Sequence, residues 1–149
     1  AVVRHLGAEA INYHEENFAL AVLAKTDGHG VDVILDIMGG AYFERNLAAL
    51  ARDGRLVVIG FLGGTRADEV DLQMLALKRA TVTGSTMRAR SGPEKAEIAN
   101  DLRAHVWPVL AAGRCLPMVH EVFPLARAAD AHRLMESGEH VGKIVLKVA

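Results

Sequence analysis

Apolar positions along this chain follow two alternating periods. Val31-Asp32-Val33-Ile34-Leu35-Asp36 and Arg55-Leu56-Val57-Val58-Ile59-Gly60 are short, nearly continuous apolar runs, each followed by glycines. That is the pattern of a strand buried on both faces. Between them, residues 41–51 place Phe43, Leu47 and Leu50 at i, i+4 and i+7, one face of a helix, and Asp53-Gly54 reads as the turn that follows it. Residues 71–79 are expected as a further helix and residues 80–86 as a third strand.

The flanks extend the alternation. Residues 1–8 read as the tail of a helix ended by Gly7 with no capping residue before it, as though the chain begins in mid-element. Residues 10–13 form a short strand candidate, and Glu15 and Glu16 open a helix bearing Phe18, Val22 and Leu23 on one face. From Ser91 onward Pro93 suits the first turn of a long helix carrying Ile98, Leu102, Val106 and Leu110. Pro108 lacks an N–H and is expected to kink that helix near Ala104. Residues 117–123 alternate as an extended segment, residues 125–137 form a helix closed by Gly138, and residues 142–148 a last strand.

Apolar strands alternating with helices predict an α/β fold, a parallel sheet covered by helices on both faces. The right-handed crossover makes a doubly wound sheet the leading architecture. No repeat, low-complexity tract or flexible linker breaks it.

Composition narrows the function. An apolar fraction of 51% fits a folded domain, and 17 Lys and Arg against 18 Asp and Glu leave no field that would recruit nucleic acid or an anionic membrane. No apolar run approaches the roughly 18 to 20 residues that span a bilayer, and residues 1–10 lack a signal-peptide pattern. The lone Cys115 reads as a packed or partly exposed thiol, so a reducing, cytoplasmic location is expected.

Seven histidines stand at positions 5, 14, 29, 105, 120, 132 and 140, no two at ligand spacing on a helix, and one cysteine makes no thiolate cluster. No metal site is therefore expected. There is no Gly-x-Ser-x-Gly elbow and no phosphate loop ending in Gly-Lys-Ser/Thr. Asp36, at a strand's carboxyl end, reads as a stabiliser of a turn or helix start rather than a ligand contact. What remains is glycine at strand ends: Met38-Gly39-Gly40, Gly60-Phe61-Leu62-Gly63-Gly64 and Gly84-Ser85-Thr86-Met87. Doubly wound sheets bind ligands beyond these ends, and glycine lets a flat ligand approach the backbone.

Ile11-Asn12-Tyr13, the run from Asp27 to Asp36, Gly39-Gly40, Gly54-Arg55-Leu56-Val57, Ser85-Thr86-Met87-Arg88-Ala89-Arg90 and His140-Val141-Gly142-Lys143-Ile144-Val145-Leu146 together resemble quinone oxidoreductases of the zeta-crystallin type. These are zinc-free members of the medium-chain dehydrogenase/reductase superfamily. The stretch around Gly-Gly-Ala-Tyr-Phe-Glu is similar to the subgroup of the p53-inducible quinone oxidoreductase.

The resemblance implies that residues 1–149 are an incomplete, Rossmann-type dinucleotide-binding domain lacking its first strands. Residues from about 91 to 149 would return to an absent GroES-like substrate domain. It implies NADPH as cofactor and hydride transfer to a quinone or enone. It further implies a homodimer paired through the strand at residues 80–86. By the same resemblance Tyr13 lies near the adenosine 2′-phosphate and Met38 and Gly39 beside the ribose. Gly60, Phe61, Leu62 and Gly63 pass the nicotinamide, Ser85, Thr86 and Met87 meet its carboxamide, and His140 is a polar cofactor contact. Lys143 reads better as a strand flank than as a phosphate partner. No residue is implied as a proton donor, and the fragment alone is expected to be inactive. Two other readings stay open: an enoyl reductase domain of a polyketide or fatty acid synthase, and a non-catalytic nucleotide-binding or scaffold module.

Overall fold

Three apolar runs become three parallel strands. In the computed structural model, which describes residues 2–148, β1 (Val31–Asp36), β2 (Leu50–Val58) and β3 (Thr81–Gly84) form one sheet in that order. Asp36, Val58 and Gly84 lie in register at its carboxyl end. The chain divides into two units, residues 1–89 and 90–149. The first holds the short helix α1 (Val2–His5), α2 (Phe18–Lys25), α3 (Phe43–Ala49), α4 (Leu72–Lys78) and this sheet. This is the parallel, Rossmann-like α/β arrangement that the sequence pattern predicts.

Caps set the helix limits. The Asn17 side chain accepts from Ala19 N at 3.0 Å, so α2 opens at Phe18 rather than at Glu15 and Glu16. The Asp71 carboxylate accepts from Met74 N at 2.9 Å and opens α4, while Arg79 closes it in the left-handed region. The carboxyl end of α3 is closed from afar: Lys78 Nζ donates to the carbonyls of Leu47, Ala48 and Leu50 at 2.8, 2.7 and 2.5 Å. These are the carbonyls a helix end leaves without intrahelical partners. Burial of the ammonium pushes the Lys78 pKa down.

Residues 10–13 are not a strand. Asn12 instead builds a turn, its side chain accepting from His14 N at 3.2 Å and its carbonyl from Glu15 N at 2.9 Å. A strand needs a neighbour's backbone groups, and Asn favours this local alternative. The turn expected at Asp53-Gly54 lies inside β2, which starts at Leu50. Between Val31 and Val33 the partner on β2 jumps from Leu50 to Arg55, a bulge in which Asp53 takes φ 63°. Arg79 Nε holds the Asp53 carboxylate at 2.7 Å.

The core of this unit is Leu47, Leu50 and Leu56 with Ala19, Ala49 and Ala51. The partners Ile34, Leu56 and Val82 point to the helix-covered face. On the opposite face Val33 and Leu35 are 63% and 66% exposed, and Ile37 is also exposed. The expectation of helices on both faces therefore fails within this unit, because α2, α3 and α4 pack along one side.

The second unit contains α5 (Gly92–Asp101), a π turn (Leu102–Val106) and α6 (Trp107–Ala111). It continues with β4 (Val119–Pro124), α7 (Ala128–Ser137) and β5 (Lys143–Lys147), and β4 and β5 pair in parallel. Ser91 and Glu94 form a reciprocal capping box with Pro93 in the first turn. The interruption expected near Ala104 is the π turn: Trp107 N donates to Leu102 O, five residues back, and absorbs the donor Pro108 lacks. No helix among the described residues is long and apolar enough to cross a membrane.

Candidate cofactor site

Two loops leave the carboxyl ends of β1 and β2 and zip together through backbone hydrogen bonds. Leu62 N donates to Ile37 O at 3.0 Å, Gly63 N to Met38 O at 2.7 Å, and Gly40 N to Gly64 O at 2.9 Å. Asp36 fixes the first loop. Its carboxylate is buried and accepts from Met38 N and Gly39 N, both at 2.8 Å. This is the turn-stabilising role read from the sequence, and it leaves neither oxygen without a donor.

The glycines let the two loops pack closely against each other. Gly39 has φ 74° and ψ −131°, a region almost closed to other residues. A Cβ there would sit 2.6 Å from Gly64 O, and at Gly40 one would sit 1.9 Å from Arg66 O. Gly60 and Gly63 are crowded by Ile37 and Met38 in the same way. Loop packing demands glycine at these four positions. At Gly84 the Cβ direction is nearly open, 3.6 Å from Val58 O, and at Gly64 it is open, although φ there is 106°.

Beside these loops lies a cavity of about 660 Å³ at the ends of all three strands. Gly39, Gly40, Phe61, Gly84, Ser85 and Thr86 line it, with Phe43, Val58, Val82, Thr65 and Ala67 forming a largely apolar wall. The size and the balance of apolar wall to few polar groups suit a small-molecule or cofactor pocket. Phe61 is 58% exposed, so its ring is available to a ligand. Phe43, Val58 and Val82 were missed as lining residues from the sequence. The available signal was the register of the strands, which aligns Leu56 with Val82 and Val58 with Gly84.

The other expected residues scatter. Tyr13 and Met38 line a second cavity of about 250 Å³ with Phe18, Tyr42 and Asn46. Gly60 and Gly63 are used in loop packing, while Leu62 and Met87 are exposed. None of these four lines the larger cavity. His140 belongs to the second unit, before β5, where its ring meets His120 edge to face at 6.4 Å. Among the described residues no three His, Cys, Asp or Glu side chains gather where they would hold a metal ion.

The family model described as "Zinc-binding dehydrogenase" matches residues 6–146. A highly reducing polyketide synthase of Aspergillus terreus is 34% identical over 91% of this chain, which spans 5% of that protein. Quinone oxidoreductase-like protein 2 of Bos taurus is 31% identical over 95% of the chain, which spans 40% of it. Among solved structures, an NAD-dependent alcohol dehydrogenase matches with TM-score 0.71 at 30% identity, covering 95% of this chain and 38% of that one. A mycobacterial quinone oxidoreductase matches with TM-score 0.73 at 29% identity, over 93% and 42%. A mycobacterial protein complexed with NADPH matches with TM-score 0.64 at 29% identity, over 90% and 42%. The chain thus spans under half the length of each. This chain belongs to the zinc-binding dehydrogenase family of medium-chain dehydrogenases/reductases and corresponds to its Rossmann-like half.

Proposed function

We propose that this chain is the cofactor-binding part of a cytoplasmic NADPH-dependent oxidoreductase that reduces a quinone or enone. The observation that carries this reading is the apolar cavity at the aligned ends of β1, β2 and β3. The bound nicotinamide supplies the hydride. Phe43, Val58, Phe61 and Val82 exclude water from its ring, and the backbone at Ser85 and Thr86 orients its carboxamide. Gly39 keeps the β1 loop close to the ribose, and Tyr13 contacts the adenosine end. NADPH is preferred to NADH on the strength of Tyr13 and the NADPH-complexed neighbour.

Residues 90–149 are read as a return segment toward a GroES-like substrate domain, which would complete the cleft, so the fragment alone is inactive. All four residues of β3, at the sheet edge, are exposed. Such an edge offers backbone pairing to a second copy, hence a homodimer. A second reading, the enoyl reductase part of a polyketide synthase, draws support from the 34% identity to the Aspergillus terreus synthase. Both readings share the hydride donor and an electron-poor acceptor.

Titration with NADPH and with NADH, followed by nicotinamide fluorescence, tests the cofactor assignment. Tighter binding of NADPH is expected. Equal affinity would remove the NADPH preference, and absence of binding by both would remove the assignment.

A further inference from the structure

Two Asp-Gly pairs each place the aspartate in left-handed backbone, and their surroundings differ. Asp27 takes φ 50° and Gly28 φ 82°, in the turn that follows α2 and leads into β1. Asp53 takes φ 63° in the bulge of β2, where the following Gly54 is buried. Positive φ is uncommon for any residue but glycine, and a glycine has no side chain to shield its own amide. Such a pair carries an electrophile and a nucleophile together. The aspartate carboxyl carbon and the nitrogen of the next residue are spaced to close a succinimide ring.

At Asp53 that reaction is hindered twice. The Arg79 guanidinium holds the carboxylate. Gly54 lies inside β2, the middle strand of its sheet, where a Cβ would meet Leu50 Cγ at 2.7 Å. At Asp27 the side chain is exposed, and among the described residues it makes no hydrogen bond or ion pair. Gly28 is exposed as well, with nothing within 4 Å of the place its Cβ would take. One contact restrains the nucleophile: Gly28 N donates to Leu23 O at 2.8 Å. That bond closes the carboxyl end of α2, and helix ends fray.

We propose that Asp27-Gly28 is a site of spontaneous isoaspartate formation, and that the modification loosens the junction between α2 and β1. Gly28 N attacks Asp27 Cγ. The N–Cγ bond forms, a Cγ–O bond breaks, and the oxygen leaves as water, carrying the carboxyl and amide protons. Water then adds to one carbonyl of the succinimide. Addition at Cγ restores aspartate. Addition at the former backbone carbonyl breaks its bond to Gly28 N and leaves the chain running through Asp27 Cβ. One water is lost and one regained, so no oxidant or reductant is needed. The lengthened backbone undoes a closely fitted turn. His29 N donates to Thr26 O and Gly30 N to Thr26 Oγ1, both at 2.9 Å. A Cβ at Gly30 would sit 2.6 Å from Ala49 O. These contacts seat the amino end of β1, whose other end carries the cavity.

The test incubates the 149-residue chain at neutral pH for several weeks and maps isoaspartate by peptide mass spectrometry. Enzymatic carboxyl methylation of isoaspartate gives an independent count. In the folded chain Asp27 is expected to convert at least about tenfold faster than Asp53, because β2 must open before Gly54 reacts. In urea the difference is expected to vanish. Asp27→Asn keeps a residue that tolerates the left-handed region and turns the reaction into deamidation, whose mass gain is counted directly. Asp27→Glu, which closes the smaller ring no longer, is expected to abolish conversion at this position. Amide exchange at residues 28–31 is expected to quicken in the converted chain. Conversion at Asp53 that equals or outpaces Asp27 in the folded chain overturns the proposal. So does an Asp27 that stays intact when folded but converts in urea, a difference between the two sites that persists in urea, or unchanged exchange at residues 28–31.

Discussion

The chain uses a parallel β–helix–β unit in both of its parts, with different results. In the first, three strands and three helices close over Leu47, Leu50 and Leu56, each under 2% exposed. In the second, β4, α7 and β5 bury only Phe123 and Ala131 among the described residues. Burial of apolar area is the main favourable term in folding. The first unit is therefore expected to hold its structure while the second opens locally. The difference extends to the strand ends. Backbone bonds and crowded glycines rigidify the loops after β1 and β2. Such fixed loops are what a preorganised site requires.

The largest test of that contrast pairs two glycines. Gly40→Ala sets a Cβ 1.9 Å from Arg66 O, whereas at Gly138, φ 70°, a Cβ meets nothing within 4 Å. The first substitution is expected to cost about 3 kcal/mol or more and the second about 1 kcal/mol. Denaturant unfolding measures both, and equal losses would mean the strand-end loops are not tightly packed. Next comes Asp36→Ala, which strands the amides of Met38 and Gly39. A loss of about 2–3 kcal/mol is expected, with faster hydrogen exchange in residues 37–40 and unchanged exchange in β4 and β5.

Lys78→Met keeps the aliphatic stem and removes the donors to three α3 carbonyls. About 1–2 kcal/mol is expected, read as a lowered melting temperature of the first unit. The smallest effect lies in the second unit. Ser91→Ala removes the α5 capping box for about 1 kcal/mol. Glu94 sharpens this through pH. Hydrogen bonds from the Ser91 side chain and backbone lower its pKa, with a smaller push from Arg90. A depressed carboxylate contributes stability that is present above the ordinary glutamate value of about 4.3 and is lost as pH falls through the folded value. Circular dichroism should show α5 loosening below that range, and Ser91→Ala should flatten the dependence.

Much of the first unit was legible because its signals are local. Continuous apolar runs marked β1 and the end of β2, and Asp36 declared its turn by its place before two glycines. Residues 10–13 misled because an apolar-polar alternation states no partner, and Asn12 satisfies its neighbours within a turn. The expectation that β1 is buried on both faces misled for a related reason. Apolar Val33 and Leu35 declare a preference for burial, not what covers them. Within the site, the sequence marked the strand-end glycines but not their purpose, since the crowding at Gly40 comes from Arg66, far along the chain. Lys78 was invisible for the same reason, because its significance lies in contacts made across the fold.

The central claim is that the strand-end cavity of the first unit receives the cofactor. The direct measurement is a map of backbone amide shifts in the ¹⁵N-labelled chain as NADPH is added. Shifts concentrated at Gly39, Phe61, Gly84, Ser85 and Thr86, with residues 90–148 unchanged, are predicted. Shifts confined to β4, α7 and β5, or none at saturating NADPH, would contradict it.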